Sequence, residues 1–569
     1  MIRRENMKKL IATLLSLSLI LACAGCSKEE ETTKKKKKKT SKTEKTESTE
    51  DPTEDPTDDP TEPDDSTTEK PTEDTDPSES ESSTSEDTSS SSTVSPLPTS
   101  FSYNHELLPL DIEMNREYYA YGVEDPNSDE YYGKVVRVGM DYEYFWFIAD
   151  SDELYDLESA LDEIIFDLED KYDSKYDELV EQFTASVAKG EYPEYDKTFI
   201  SRTDITRADS LILSFYVTET SEEENAKATV TTYNYISPTV ETISFDDVVT
   251  DRAALHDYVA TLGDSDLAFN KDQVLAQIED GTIPFCLSYD GIVLVIPTDI
   301  SSQNVKVSAI GHEDMFNMVY FGSTPDSFMF KAAPDDKIFW DIDGDNVTDE
   351  ITFTYPDDMY NYPAEITFDI NGKSTTISGD QVSELEGLFE EAYLAYLDET
   401  YYIIVRTTIE DGYSLQFLFR IGSDLSVEYL DHVDGFFFTE PYTPEYISLA
   451  DSSQFIGTGL RYDEYYLDPS SKKIERTSPI SMRYGSPLVT KKDIVATDPV
   501  DNSEATLPAG TTVRLYAVDT EEHIAYFEIL HEDPWDSGFF TLSFTEGEYR
   551  YVLDAGEEGD LFSGLFYAG

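Results

Sequence analysis

The sequence is poor in cysteine and in basic residues. It has three Cys among 569 residues, and 41 Lys and Arg stand against 119 Asp and Glu. Two of the cysteines, Cys23 and Cys26, lie near the start, so the rest of the chain holds Cys286 alone and has no disulfide framework. We therefore expect hydrophobic cores to stabilise the folded part, with Cys286 buried in one of them.

The shortage of basic residues excludes one class of partner. The formal net charge is -78 and the pI is about 4.1. A nucleic acid would be repelled by this charge, because its phosphate backbone is also negative. Cationic proteins and divalent cations are the partners that such an acidic chain favours.

Long apolar runs are also scarce, and the one near the N-terminus, residues 10–22 (LIATLLSLSLILA), is short. A membrane-spanning helix needs roughly 20 apolar residues, more than this run supplies. A basic start, Met7-Lys8-Lys9, precedes the run and small residues follow it, as in a secretory signal. The sequence therefore predicts a signal peptide over residues 1–26.

The end of the signal contains Ala24-Gly25-Cys26, which resembles the lipobox of bacterial lipoproteins. In that family the cysteine thiol takes a diacylglycerol, the chain is cut just before it, and the lipid holds the protein on the outer leaflet. The resemblance implies lipidation of Cys26, with Cys23 as the alternative, and a place on the outer face of the cell membrane in a Gram-positive-like envelope. A plain secreted protein with an incidental cysteine is the competing interpretation.

Residues 27–100 form a low-complexity segment. It starts with a lysine block, Lys34 to Lys39, and continues as repeats of Asp-Pro-Thr-Glu type and a Ser/Thr tract. This composition cannot bury enough apolar surface to offset the entropy lost on ordering. We predict a disordered stalk, extended by its prolines and like charges to as much as about 3 Å per residue.

Residues 101–332 combine helical and strand-like patterns. One helix is predicted to end near Gly190, with these apolar residues on one face: Leu154, Leu157, Leu161, Ile164, Ile165, Leu168 and Tyr172. Two shorter helices are predicted in DRAALHDYVATL and KDQVLAQIEDG, and strands in SLILSFYVTE and TIPFCLSYDGIVLVIP. This irregular alternation predicts an α+β domain.

The segments SLILSFYVTE, ATVTTYNYISPTVETISFDDVVTD, LSYDGIVLVIPTDISS and GHEDMFNMVY resemble the extracellular domain shared by RsiV-type anti-sigma factors and PdaC-type peptidoglycan deacetylases. The resemblance covers residues 101–332. It implies a non-catalytic α+β module that faces the cell wall and that in RsiV captures lysozyme. The chain shows no cytoplasmic anti-sigma segment, membrane span or deacetylase motif, so signalling and deacetylation are not carried over.

A second motif lies in FWDIDGDNVTDEITFTYP. Positions 1, 3, 5 and 9 of a predicted tight loop are Asp341, Asp343, Asp345 and Asp349. Ca²⁺ takes several oxygen ligands at about 2.4 Å, which alternate carboxylates on a turning loop can supply. Flanking strands make the loop resemble an integrin-type β-hairpin calcium loop, whereas an EF-hand would have glycine where Asn346 stands. We predict a structural Ca²⁺ site, with an acid-rich surface turn as the alternative.

The remaining chain is predicted to be β-rich. Residues 333–480 are predicted to form strands, including a hairpin at Asn371-Gly372. A propeller-like unit that also includes the tail is the alternative interpretation. Residues 481–569 weakly resemble a small bacterial SH3-like β-barrel, a module that often binds wall peptides or glycans. Trp535 and Phe540 are candidates to stack on sugars, with core packing as the alternative.

No catalytic motif is legible in the sequence. A Gly-x-Ser-x-Gly elbow, a His-Glu-x-x-His pair and a Walker loop are all missing. We therefore expect a lipid-anchored cell-surface protein that binds a wall component such as peptidoglycan, or a cationic protein such as lysozyme, without catalysis. A peptidoglycan- or glycan-directed hydrolase and a calcium-dependent adhesin are the alternatives.

Overall fold

The computed structural model describes sixteen stretches of the chain: residues 104–124, 135–149, 151–192, 197–221, 227–263, 271–298, 301–332, 337–355, 365–378, 388–408, 414–453, 455–484, 487–500, 502–530, 538–546 and 551–565. The predicted signal peptide and stalk, with Cys23 and Cys26, lie outside these residues, and so does Trp535.

The first sheet is six-stranded and carries a long helix. The opening strand β1 (Asn104–Leu107) stands apart from it, and its strands in order are β2 (Ile112–Glu124), β3 (Val135–Phe147), β4 (Lys197–Ala208), β5 (Ile212–Ser221), β6 (Thr229–Ile236) and β7 (Glu241–Thr242). Helix α1 (Tyr155–Val187) connects β3 to β4, which are parallel, and a 3-10 helix (Asp152–Leu154) leads into it.

The apolar periodicity of α1 explains how it packs. Its buried residues are Leu157, Leu161, Ile165, Tyr172, Tyr176, Leu179 and Phe183. Alternate residues of β3, such as Met140 and Tyr142, lie against this stripe because side chains of a strand alternate between its two faces. The predicted helix is confirmed, and its buried positions are those expected from the spacing, except that Ile164 and Leu168 are only half-buried.

Three short helices cover a three-stranded sheet in the next region. The helices are α2 (Phe245–Val248), α3 (Arg252–Thr261) and α4 (Lys271–Asp280), and the strands are β8 (Phe285–Leu287), β9 (Gly291–Pro297) and β10 (Ser302–Ser308). The Asp251 carboxylate caps α3 by accepting hydrogen bonds from the N–H groups of Ala253 and Ala254 at 3.1 and 3.0 Å. Leu255 of α3 and Ile278 of α4 pack on the buried apolar side chains of β9.

A 3-10 helix (Met318–Tyr320) comes next, followed by β11 (Ser323–Pro325), which pairs in parallel with β1. Two antiparallel sheets follow. The five-stranded sheet runs in the order β12 (Ser327–Lys331), β17 (Leu388–Leu397), β18 (Thr400–Thr408), β19 (Ser414–Ile421) and β20 (Val427–Asp434). The four-stranded sheet consists of β13 (Lys337–Trp340), β14 (Asp349–Thr354), β15 (Glu365–Ile370) and β16 (Lys373–Ser378). Asn371 and Gly372 turn between β15 and β16 with φ of 52° and 80°, which confirms the predicted two-residue hairpin.

The last thirteen strands join one large sheet. They are β21 (Phe436–Phe437), β22 (Ile447–Ser453), β23 (Gly459–Asp468), β24 (Lys473–Arg476), β25 (Ile480–Tyr484), β26 (Leu488–Thr490), β27 (Ile494–Thr497), β28 (Glu504–Leu507), β29 (Thr512–Asp519), β30 (Ile524–Ile529), β31 (Gly538–Glu546), β32 (Tyr551–Leu553) and β33 (Phe562–Ser563). A one-turn helix, α5 (Glu558–Leu561), precedes the last strand.

The predicted fold class is wrong. Of the described residues 55% are in strands and 17% are helical, so the chain is mainly β and its N-terminal part is not an α+β domain. The predicted SH3-like barrel is wrong as well, because the described tail strands do not close on themselves. Strand β25 pairs with β23 on one side and β29 on the other, which makes the tail a continuation of an open sheet.

The sheets belong to one body. Residues Pro96–Gly569 form a single compact unit. Strand β12, close to the end of the predicted first domain, pairs along its length with β17, some sixty residues further on. Among the described residues, no helix combines the length and the apolar character that a membrane crossing requires.

Candidate functional site

The predicted calcium loop lies between β13 and β14. One carboxylate oxygen from each of Asp341, Asp343 and Asp345 lies within 4.8 Å of the other two. Asp341 is buried, whereas Asp343 and Asp345 are exposed to solvent. Three of the four predicted ligands therefore converge at one end of the hairpin.

The Asp341 carboxylate organises this loop. It accepts hydrogen bonds from the backbone N–H groups of Gly344 and Asn346, both at 2.8 Å. Gly344 and Asn346 have φ of 77° and 63°, in the left-handed region that a sharp turn needs and that glycine and asparagine tolerate best. The sequence thus bends the loop locally, and the bend brings the three carboxylates together.

Asp349, the fourth predicted ligand, is not a member of this group. It is buried in β14, where it accepts a hydrogen bond from the Ile342 N–H at 2.7 Å and another from the Asn371 side-chain amide. Burial raises the pKa of Asp349, and the nearby carboxylates of Asp343 and Asp341 add to the increase. Asp349 therefore closes the base of the loop with its own hydrogen bonds.

A second feature is the outer side of α1. The helix has eleven Asp and Glu against two Lys. We define its acidic face by six exposed residues: Asp156, Glu163, Asp167, Asp170, Asp177 and Glu181. Their spacings of three, four or seven residues put them on one side of a helix about 50 Å long.

Two exposed aromatic side chains lie at the edge of the acidic face. Tyr155 is 54% exposed and Phe166 is 45% exposed, and the Phe166 ring meets the edge of Trp146 at 6.2 Å. Aromatic residues are enriched where proteins bind each other, since they bury a large area at little cost in side-chain entropy. The surface therefore combines negative charge with apolar contact area.

A third feature is a cavity of about 200 Å³, here called the central cavity. Residues from β4, β9, β10, β12 and β17 line it together with Glu440 and Pro441. Apolar walls come from Met329, Phe330 and Phe389, and charged groups include Lys306 and Lys331.

Carboxylates neutralise both lysines of the cavity. Lys306 forms an ion pair with Asp290 and donates hydrogen bonds to Ser288 Oγ at 3.0 Å and to the Lys331 carbonyl at 2.8 Å. Lys331 forms an ion pair with Glu391, which also accepts a hydrogen bond from Arg406 at 2.8 Å.

Glu440 is held differently. Its carboxylate accepts a hydrogen bond from the Tyr393 hydroxyl at 3.0 Å and lies 3.8 Å from the Lys331 ammonium. Burial raises the pKa of Glu440, and the charges of Glu391 and Asp204 raise it further, while Lys331 opposes the increase.

Asn304 brings an unsatisfied acceptor to the same cavity. Its side-chain nitrogen donates a hydrogen bond to the Tyr216 hydroxyl at 2.6 Å. Its side-chain oxygen is buried and has no hydrogen-bond partner among the described residues. A buried acceptor left without a donor costs free energy, so a donor from a bound molecule or water fits this position.

The sequence did not predict this cavity. Its lining comes from five strands and a loop spread between residues 205 and 441, and no local motif joins them. The one available signal was the presence of Lys306 and Lys331 in otherwise apolar strands of a very acidic chain.

Two other predicted residues are buried. Cys286 is fully buried, burial raises the pKa of its thiol to about 12, and its place in a core is confirmed. Phe540 is 4% exposed and stacks on Phe527 with ring centroids 5.0 Å apart, so it does not face a glycan.

Solved structures that are similar to this chain include two of the DUF3298 family. A crystal structure of a DUF3298 family member from Bacteroides fragilis is 13% identical, with 37% of this chain and 95% of that chain aligned and a TM-score of 0.25. A DUF3298 family protein from Pseudomonas aeruginosa is 14% identical, with 37% and 97% aligned and a TM-score of 0.23. At these TM-scores the likeness carries no argument about fold or function. No family model matches the sequence, and the search of curated proteins gives no match.

Proposed function

We propose that this chain is a lipid-anchored protein on the outer face of the cell membrane that binds a cationic protein without catalysis. The lipobox-like segment supports an anchor at Cys26, or at Cys23, in a Gram-positive-like envelope. The observation that carries the binding role is the acidic face of α1 with Tyr155 and Phe166 exposed at its edge.

Charge and apolar area have separate effects in this proposal. The acidic face attracts a cationic partner over about 8 Å at physiological salt, which raises the association rate. Tyr155 and Phe166 then bury apolar surface and slow dissociation. A lysozyme-like partner agrees with the resemblance of residues 101–332 to the extracellular domain of RsiV-type proteins.

Calcium has a structural role in the proposal. Carboxylates of Asp341, Asp343 and Asp345 supply three oxygen ligands from a loop that is already bent. Ca²⁺ at this point would offset the repulsion among the three carboxylates and hold the hairpin between β13 and β14. Asp349 supports the loop from below by its bond to the Ile342 N–H.

The test is calorimetric titration of lysozyme into the full chain carrying Cys23→Ser and Cys26→Ser, which prevents lipidation. We compare this protein with a variant in which Glu163, Asp167 and Asp170 are changed to Lys. A control variant changes Glu365, Glu504 and Glu521 to Lys, since these acids are also exposed and lie elsewhere. Both variants alter the net charge by the same amount.

We expect the α1 variant to bind at least about tenfold more weakly, and the control to change affinity by less than about twofold. Equal losses in the two variants would show a general charge effect and would contradict the proposed surface. A parallel incubation with purified peptidoglycan separates binding from hydrolysis, because released soluble fragments would overturn the non-catalytic role.

A further inference from the structure

The central cavity is suited to a ligand of limited size. An engineered apolar cavity of about 150 Å³ holds benzene, so a volume of about 200 Å³ accommodates a molecule slightly larger than benzene. Phe330, Phe389 and Met329 provide an apolar wall for its carbon skeleton. The cavity shares no residue with the acidic face of α1, so it is a separate site.

The polar groups of the cavity select for a ligand that donates hydrogen bonds. Lys306 and Lys331 are already paired with Asp290 and Glu391, so neither ammonium is left to bind an anion. The hydrogen-bond acceptors of the cavity have fewer partners. Among the described residues, the Asn304 oxygen has no donor, and the Glu440 carboxylate has the Tyr393 hydroxyl as its hydrogen-bond donor.

The two acceptors belong to one hydrogen-bonded chain. The backbone N–H of Glu440 donates to the Asp204 carboxylate at 3.2 Å. Tyr216 is hydrogen-bonded to Asp204, and Asn304 donates to the Tyr216 hydroxyl at 2.6 Å. These hydrogen bonds hold Glu440 and Asn304 in position, and both residues line the cavity.

Net charge decides between the kinds of donor. Among the described residues, the lining carboxylates of Glu390, Glu391 and Glu440 and the Lys306 partner Asp290 stand against Lys306, Lys331 and Arg406, which pairs with Glu390 and Glu391. Four carboxylates against three cations leave the surroundings of the cavity negative. A cation is therefore favoured over a neutral hydroxyl compound, and an anion is disfavoured. A primary ammonium group also supplies three N–H donors for the acceptors that lack partners.

We infer that the central cavity binds a small primary amine, with its ammonium group held by Glu440 and Asn304 and its carbon skeleton against Phe330 and Phe389. The inference does not depend on capture of a cationic protein by α1. It gives this chain a second ligand, of a different size and at a different place.

The experiment uses three probes that share one carbon skeleton: n-butylammonium, n-butanol and butyrate. Each is titrated into the full chain at constant ionic strength, and binding is followed by calorimetry and by the melting temperature. We expect n-butylammonium to bind at least about tenfold more tightly than n-butanol, because a charge-assisted hydrogen bond is the stronger kind. Butyrate is expected not to bind.

Variants locate the site. Glu440→Gln keeps the size of the side chain and an oxygen that accepts the Tyr393 hydrogen bond. We expect this variant to bind n-butylammonium about tenfold more weakly. Asn304→Ala removes the unsatisfied oxygen and should also weaken binding, by several-fold. Asn115→Ala is the matched control, since the Asn115 amide donates to the nearby Glu113 carbonyl at 3.2 Å and is not among the residues that line the cavity.

Three results would overturn the inference. The first is no binding of n-butylammonium at millimolar concentration. The second is an affinity for n-butanol or butyrate that equals or exceeds the affinity for n-butylammonium. The third is an unchanged affinity in both Glu440→Gln and Asn304→Ala, which would put the bound amine elsewhere. If one variant does not fold, the other and the comparison of probes still decide the question.

Discussion

Changing Asp290 to Asn removes the charge partner of Lys306 in the interior of the protein. The side chains of Asp290 and Lys306 are 2% and 4% exposed, and their ion pair is completed by Ser288 Oγ and the Lys331 carbonyl. Breaking a buried pair by removing one partner costs about 3–5 kcal/mol, because the remaining charge stays in a poorly polarisable environment. We predict a loss of this size in the free energy of unfolding.

The loss should depend on pH. Burial lowers the pKa of Lys306 even in the native pair, and without Asp290 the pKa falls further. The folded variant then binds fewer protons than the unfolded chain between this lowered pKa and the ordinary lysine value of about 10.4. Stability of the variant therefore rises with pH over that interval, since the free energy of unfolding increases wherever the unfolded state holds more protons.

A double-mutant cycle measures the pair directly. Lys306→Met leaves the Asp290 carboxylate without its lysine and should lower the free energy of unfolding by a similar amount. The double variant replaces both charges, so its loss should be smaller than the sum of the two single losses by about 2 kcal/mol or more. Glu350→Gln is the control, because the Lys337–Glu350 pair is 37% and 49% exposed and should contribute no more than about 1 kcal/mol. Urea unfolding followed by circular dichroism at pH 6 and pH 9 gives the four free energies. Additive losses, or a loss in Asp290→Asn no larger than in Glu350→Gln, would refute the reasoning.

Three further predictions concern other parts of the chain. Gly291→Ala should lower the free energy of urea unfolding by about 1–3 kcal/mol, because a Cβ there would lie 2.1 Å from the Val307 carbonyl oxygen. Gly538→Ala is the control and should have a small effect, because its Cβ would lie 3.7 Å from the Ile529 side chain. Equal losses in the two variants would contradict this prediction. Ca²⁺ at 100 times its Kd should stabilise the chain by about 2.7 kcal/mol, and Asp341→Asn should abolish this gain in a thermal melt; an identical response in the variant would exclude the loop as the site. Cys286 should resist a thiol reagent at pH 8 until the chain is unfolded, since burial raises the pKa of its thiol to about 12; stoichiometric labelling of the native Cys23→Ser, Cys26→Ser protein would contradict this.

Local patterns in the sequence predicted local structure well. The spacing of Leu157, Leu161 and Ile165 identified the buried stripe of α1 because residues three and four apart share one side of a helix. Asn371-Gly372 identified a hairpin because few residues adopt the positive φ values that such a turn needs.

Long-range pairing was not predictable in the same way. Strand β17 (Leu388–Leu397) is held by pairing with β12 on one edge and β18 on the other, partners that are remote or neighbouring in sequence and that its own residues do not specify. The tail strands were read as a barrel, since each strand was judged from its own residues, whereas β25 links them to β23. The fold class failed for this reason.

The candidate sites show the same division. Asp341, Asp343 and Asp345 alternate within one loop, and their carboxylates lie close together. Asp349 lies in β14, where a backbone N–H and a side-chain amide donate to its carboxylate. The central cavity was missed because its polar groups, such as Asn304 and Glu440, meet only after separate strands have paired.

The most direct test of the account is to map where a cationic protein contacts this chain. Zero-length carbodiimide cross-linking joins a carboxylate to a lysine that it touches, and mass spectrometry identifies the joined residues. With lysozyme as the partner, the account predicts cross-links concentrated at Glu163, Asp167 and Asp170 of α1. Cross-links spread evenly over the exposed acids of the chain, or none at all, would contradict it.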